Sequence, residues 1–279
     1  MANLSKMGGP ILAAANVVNN MSVWQAYGDN TTVGTSYETI ANGNVDLVLP
    51  PVAGEDLDIV SADANDTSAG TGAQTVKVTY LDANGRVGSE VVSMAGATPV
   101  ELTEQNIQFV LDAEVVSSGT GLAAAGAITI AAVTGGEVYG IIDAGAYNMM
   151  NNTLMVPADS KGYIYGFWAD VESVAAGAGT AEVALQIAPK VSSGVRNSET
   201  WQTVARLTLV EQDSDVVAAT GGNSNAKGYF EFPGGVPFVV PAQCMVRLAG
   251  KALSTAVAIQ GGFSMITHGD GSGTQTTSS

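Results

Sequence analysis

Short runs in which hydrophobic and polar residues alternate fill the chain from Tyr37 onward: "VDLVLP", "LDIVSA", "TVKVTYLD", "SEVVSM", "IQFVLDAEVV", "AITIAAV" and "VYGIIDAG". Each is rich in β-branched or aromatic residues and bounded by Gly, Asn, Asp or Pro, which is how strands read. In "TVKVTYL", Val76, Val78 and Tyr80 alternate with Thr75, Lys77 and Thr79, predicting one buried face and one wetted face. Asn84-Gly85 supplies residues that tolerate positive φ, so a type I′ hairpin is expected there, with Val87 to Met94 returning. The rhythm continues after Ala146 through "NTLMVPADSKGYIYGFWADVESV", "AEVALQIAP", "TWQTVARLTLVE", "KGYFEFPGG", "VPFVVPAQCMVRLAG" and "STAVAIQGGFSMITH". No stretch carries a long amphipathic helical period.

The pattern predicts an all-β protein with two β-rich domains. The first is a β domain over 36–145; the second, over 146–268, is a two-sheet β-sandwich of jelly-roll type. Residues 1–35 hold neither a period of 2 nor one of 3.6, and they contain Gly8-Gly9-Pro10. They read as an extended N-terminal arm, anchored by Trp24 and Tyr27 on a neighbour or on its own domain. The closing "GDGSGTQTTSS", 269–279, is small and polar and reads as a flexible tail.

Composition narrows the classes. With 279 residues, 46% of them hydrophobic and 13% charged, the chain can build a core without metal or disulfide staples. Its 34 glycines and 6% aromatics suit thin, tightly packed sheets. The net charge of −16, with no basic cluster, argues against a nucleic-acid surface, because neutralising phosphates needs concentrated cations. It also argues against an anionic membrane. Cys244, the single cysteine, lies in an apolar run and reads as a small core residue. The apolar run Ile11 to Val18 is too short for a secretion signal or a span, so folding in the cytoplasm is expected.

Candidate chemistry is sparse. Asp63, Asn65 and Thr67 have the alternate spacing of a calcium loop, but Ser68 and Gln74 stand where Gly and Glu are needed and no helices flank it. Asx turns explain the loop better, and no metal or cofactor site is assigned. His268, the only histidine, has no partner for zinc binding or a nucleophilic relay, and reads as a surface residue closing the last strand. Carboxylate pairs could be drawn from Glu55, Asp56, Asp58, Glu211, Asp213 and Asp215, but nothing in their spacing places two across a cleft. The Gly-rich "GTG" stretches at 70–72 and 119–121 open strands, so they read as turns. In "GYIYGFW", strict alternation puts Tyr163, Tyr165 and Phe167 on one face and Ile164, Gly166 and Trp168 on the other. Such a row serves a core, a subunit interface or a sugar platform. No residue is assigned a catalytic role, and the interface candidates are Trp24, Tyr27, Tyr163, Tyr165 and Phe167.

The stretch "VSADANDTSAGTGAQTVKVTYLDANGRVGSEVVSMAGATPVELT", followed by "VVSSGTG" and "GAITI", resembles structural proteins of tailed bacteriophages. The similarity lies in an Asp-rich, GTG-containing loop, a strand ending in a D-x-N turn, a G-x-T-P-V turn and an SGT strand. "MVPADSKGYIYGFWADV" is similar to the VPAGK turn of the same group, with Asp159-Ser160 where Gly is usual before Lys161. The resemblance covers 58 to about 175. It implies a non-enzymatic virion protein, foremost a homotrimeric capsid decoration, or cement, protein on the capsid surface that binds the major capsid protein. The alternative it leaves open is a tail or fibre component that binds a host glycan.

Overall fold

The computed structural model describes residues 21–41, 49–173, 179–189, 201–211, 226–254 and 257–269. Seventeen strands cover most of them. They are β1 (Met21–Val33), β2 (Glu38–Thr39), β3 (Leu57–Ser61), β4 (Ala73–Leu81), β5 (Val87–Ser93), β6 (Val100–Glu101), β7 (Phe109–Ser118), β8 (Ile128–Ala132) and β9 (Val138–Ile142). The second half adds β10 (Thr153–Met155), β11 (Ser160–Ser173), β12 (Thr180–Ala188), β13 (Gln202–Val210), β14 (Ala226–Glu231), β15 (Phe238–Val240), β16 (Met245–Ala252) and β17 (Val257–Gly269).

Two antiparallel sheets form a sandwich. The first runs β1-β17-β11-β14, with β15 on β11 beyond β14; the second runs β10-β16-β12-β13, with β2 on β16 beyond β10. Taken in chain order, with β2 and β10 sharing one position and β14 and β15 another, this is the eight-position path of a jelly roll, changing sheet at every step except between the paired β12 and β13. The β2/β10 position is split by an insertion. Glu38 and Thr39 pair with Gly250 and Ala249, and the same edge of β16 is then taken over by Thr153, Leu154 and Met155. The chain leaves that strand near Ala41 and returns near Asn151, where the two residues form a bridge. The described residues between form a second β body, made of a β6-β3-β8-β9 sheet and a β5-β4-β7 sheet.

Each body has its own buried cluster. Between the jelly-roll sheets lie Phe167, Ile164, Val183, Leu185, Val246, Leu248, Ile259 and Phe263, joined by Cys244. Leu57, Ile59, Val76, Val78, Tyr80, Ile128 and Ile130 fill the inserted body, so the alternation along β4 is realised as expected. Leu81, Phe109 and Leu111 reach from the insert into the sandwich cluster. A backbone bond from Ala158 N–H to Gly85 O (2.7 Å) fastens the seam.

Three sequence expectations change. First, residues 21–33 are not part of an arm: β1 pairs along its length with β17, from Met21 opposite His268 to Val33 opposite Val257. After Trp24 its inward residues are small or polar, Ala26, Gly28 and Asn30, while Tyr27 points out, so hydropathy hides the period. A Cβ on Gly28 would meet the Ile40 carbonyl oxygen at 1.9 Å, so only glycine fits there. The sandwich is accordingly discontinuous, drawing strands from both sides of the insert. Residues 1–20 and the tail from 270 lie outside the described residues.

Second, only Gly85 of the Asn84-Gly85 turn has positive φ (72°). Gly85 N–H donates to Asp82 O at 2.8 Å and Asp82 N–H to Arg86 O at 2.9 Å. That is a type I turn closed by a left-handed glycine rather than a type I′ turn. Asp82 stabilises it, its Oδ1 accepting from the Asn84 and Arg86 amides at 2.8 Å each.

Third, a β-bulge breaks the alternation of β11. Ile164 faces Met265 and Phe167 faces Phe263, so two residues of β11 oppose one of β17. Tyr163 and Tyr165 therefore turn outward while Phe167 turns into the core with 1% exposure, and Trp168 emerges on the outer face.

Candidate functional site

The bulge, two glycines and the register of four strands create a side-chain row on the outer face of the β1-β17-β11-β14 sheet. Tyr27 stands opposite Gly262, Gly262 opposite Trp168, and Trp168 opposite Tyr229. A Cβ on Gly262 would meet the Trp168 indole nitrogen at 3.3 Å, and one on Gly166 the Tyr229 hydroxyl at 3.0 Å. Both rings thus lie over positions vacated by glycine. The Tyr27 and Trp168 rings are 5.7 Å apart at 29°. Trp168 is 40% exposed and Tyr229 62%. Two grooves of about 670 and 420 Å³ share Trp168 and Tyr229 as their common ridge.

Polar rows flank the aromatic one because residues two apart share a face. On one side Asp29, Gln260, Asp170 and Lys227 stand opposite one another in turn. Lys227 Nζ is 3.3 Å from Asp170 Oδ2, whereas Asp170 Oδ1 is shielded from solvent and receives no donor. Burial pushes the Asp29 carboxyl up and Asp143 adds to the effect, against a hydrogen bond from Gln260. Tyr27 is pushed up by burial and by Asp29 and Asp170. On the other side Gln25 faces Ser264, and Gly166 faces Glu231.

Of the interface candidates, Tyr27 and Tyr165 border this face. Tyr163 is half-buried on the same strand side and Phe167 belongs to the core. Trp24 turns inward, its Nε1 donating to Thr267 Oγ1 at 2.9 Å, and packs on the sandwich core. Sequence reasoning missed Trp168 and Tyr229. Trp168 was assigned to the wrong face, and Tyr229 was visible only as one aromatic in "KGYFEF".

The Asp-rich loop resolves differently. Asp63 Oδ1 accepts from the Asn65 amide at 2.7 Å, an Asx turn. Asp66, fully buried, accepts from Ser61 Oγ (2.5 Å) and from the amides of Ala73 (2.6 Å), Ala125 (2.8 Å) and Gly126 (3.0 Å). Burial pushes its carboxyl up, but the four hydrogen bonds outweigh that and hold it below the usual range. The carboxylate is a staple between loops. The two GTG turns dock there too, Gly119 N–H donating to Gly72 O and Gly121 N–H to Thr71 O. Among the described residues no group of three or more His, Cys, Asp or Glu is placed to hold a metal ion.

The remaining candidates stay apart. Glu55 accepts the Tyr139 hydroxyl, and Asp56 Oδ1 accepts the Asn106 amide at 3.0 Å. Asp58 lies opposite Glu101, and burial followed by that neighbour raises its carboxyl. Glu211 is buried just beyond β13, and Asp213 and Asp215 lie outside the described residues. His268 is exposed near the end of β17. No described helix is long and apolar enough to cross a membrane.

No protein-family model matches the chain, and no curated protein sequence matches it. Several solved structures are similar to it. One is infectious bursal disease virus of the Gt strain: 9% identity, 90% of this chain, 71% of that chain, TM-score 0.19. Another is the VP2 subviral particle of the same virus: 10% identity, 91% and 74% covered, TM-score 0.20. A third is its Gx strain: 10% identity, 90% and 71% covered, TM-score 0.19.

Proposed function

We propose that the chain is a non-enzymatic virion structural protein, a homotrimeric capsid decoration protein that binds the major capsid protein and stabilises the head. The observation that carries this reading is β1. It is an edge strand of 13 residues, its strand pairing among the described residues is all with β17, and it follows 20 residues whose one charged side chain is Lys6. An edge strand offers a row of backbone donors and acceptors to a neighbouring chain. An apolar segment feeding directly into it gives a clamp with a fixed root. Cementing a shell needs buried area, roughly 1,600 Å² per contact, repeated over many copies, and it needs no reactive group.

The test is a deletion that stops at residue 20. Removing residues 1–20 leaves β1 intact and is expected to lower occupancy on purified particles while the free protein keeps its melting temperature. Full occupancy after that deletion refutes the clamp. A deletion carried to residue 30 removes most of β1 and cannot separate docking from folding.

A further inference from the structure

We infer that the outer aromatic row is a binding site for a neutral, hexose-containing glycan, a role distinct from shell docking and independent of it. The geometry points to a sugar because the apolar strip is one side chain wide and bordered on both sides by hydrogen-bonding groups. Neighbouring strands are about 4.8 Å apart and same-face residues about 6.8 Å apart. A hexopyranose laid on Trp168 or Tyr229 therefore covers one ring with its C–H face and carries hydroxyls to either polar row. Gly262 and Gly166 let those rings lie over the sheet instead of standing on a packed row of side chains.

The polar rows match hydroxyls. At the foot of the ridge the exposed Gln260 and Lys227 flank Asp170 on the neighbouring strands and carry the donors and acceptors that a hydroxyl can reach, while Asp170 Oδ1 itself is closed to solvent. On the far side Gln25 and Ser264 line the larger groove. Charge selects among sugars: Asp29, Asp170 and Glu231 against Lys227 leave the face negative, which disfavours sialylated or sulfated chains. The size of the strip argues against a protein partner, because four partly exposed rings, Tyr27, Tyr165, Trp168 and Tyr229, present at most about 450 Å² of apolar area. A stable protein interface buries about 1,200 Å² or more in total.

The full chain is titrated with malto-, cello-, manno- and chitohexaose, with sialyllactose and heparin as anionic comparators, following tryptophan fluorescence and heat. Beads carrying the same neutral polymers separate capture of soluble sugar from adhesion to a glycan surface. At least one neutral hexaose is expected to bind with a Kd of about 1 mM or tighter. Trp168→Ala should weaken it about tenfold or more, and Gln260→Ala and Tyr229→Ser less, each variant remaining folded with a cooperative melt. No binding of any neutral hexaose at about 10 mM overturns the proposal. So does equal affinity in Trp168→Ala, or preference for the anionic sugars. Loss of particle occupancy in Trp168→Ala without sugar binding in the wild type assigns the face to a protein instead. Failure of the residue 1–20 deletion test leaves this site untouched.

Discussion

The two outer faces of the jelly roll use the same backbone geometry and reach opposite ends. On the β10-β16-β12-β13 sheet the outward polar groups satisfy one another. Glu182 lies at the centre: the Tyr37 hydroxyl donates to it, Lys251 Nζ is 3.1 Å away and Arg206 3.7 Å. Lys251 also sits 4.6 Å over the Tyr37 ring. Alongside, Arg247 donates to Gln186 Oε1 at 2.9 Å and to Thr39 Oγ1 at 3.2 Å, and stacks 4.4 Å over Trp201. On the β1-β17-β11-β14 sheet the aromatic rings are left exposed and Asp170 keeps an unmet acceptor. A face whose groups are paired internally has little to offer a ligand; one whose groups are arranged but unpaired is where recognition is built.

The contrast predicts where substitutions hurt. The most closed polar group is in the insert. Asp66→Ala leaves three backbone amides and the Ser61 hydroxyl without their buried acceptor, so a loss of about 4 kcal/mol or more in urea unfolding is expected. Stability equal to wild type would show that the loops around Asp66 are held by something else. Glu182→Ala comes next, at about 2–3 kcal/mol, because it removes the shared partner of three groups from a half-buried site. The corresponding change on the other face, Trp168→Ala, should cost less, about 1–2 kcal/mol, since the ring is 40% exposed and rests on Gly262 and against Tyr27 without any polar group depending on it. A Trp168→Ala loss as large as that of Glu182→Ala would erase the difference between the faces.

Legibility in the sequence follows the same physics. The class was readable because Val76, Val78 and Tyr80 put large residues inward at a period of two. β1 was not, because after Trp24 its inward residues are Ala26, Gly28 and Asn30 and its largest outward residue is Tyr27. Hydropathy then reads the strand inside out. The split strand of β2 and β10 is five residues long in total, too short to carry a period, so the insertion left no trace in composition. Most of the candidate face depended on the bulge after Ile164, which reverses every side chain beyond it and is set by pairing with β17 across about a hundred residues of chain. Asp66 was visible only as one acid among several, since its four donors come from three separate segments.

The two faces should also respond to acid in opposite directions. Glu182 is held below its ordinary range, first by the Tyr37 hydrogen bond and, against some burial, by Lys251 and Arg206. A depressed carboxyl contributes stability that is present above its unfolded pKa, about 4.3, and is lost as pH falls through the lower folded value. Asp29 is raised, so in the window between its unfolded pKa, about 3.9, and its higher folded value the native state binds the extra proton. Its charge is a cost above that window, relieved as pH falls. Glu182→Gln should therefore lower stability at pH 7 and flatten the acid loss, whereas Asp29→Asn should leave stability at pH 7 unchanged or raise it by up to about 0.5 kcal/mol. Melting temperatures between pH 3 and 7 read both. Asp29→Asn is the smallest effect and the sharpest: a clear destabilisation at pH 7 would mean that its charge is already well partnered in the free protein, and that the aromatic face is as finished as the other.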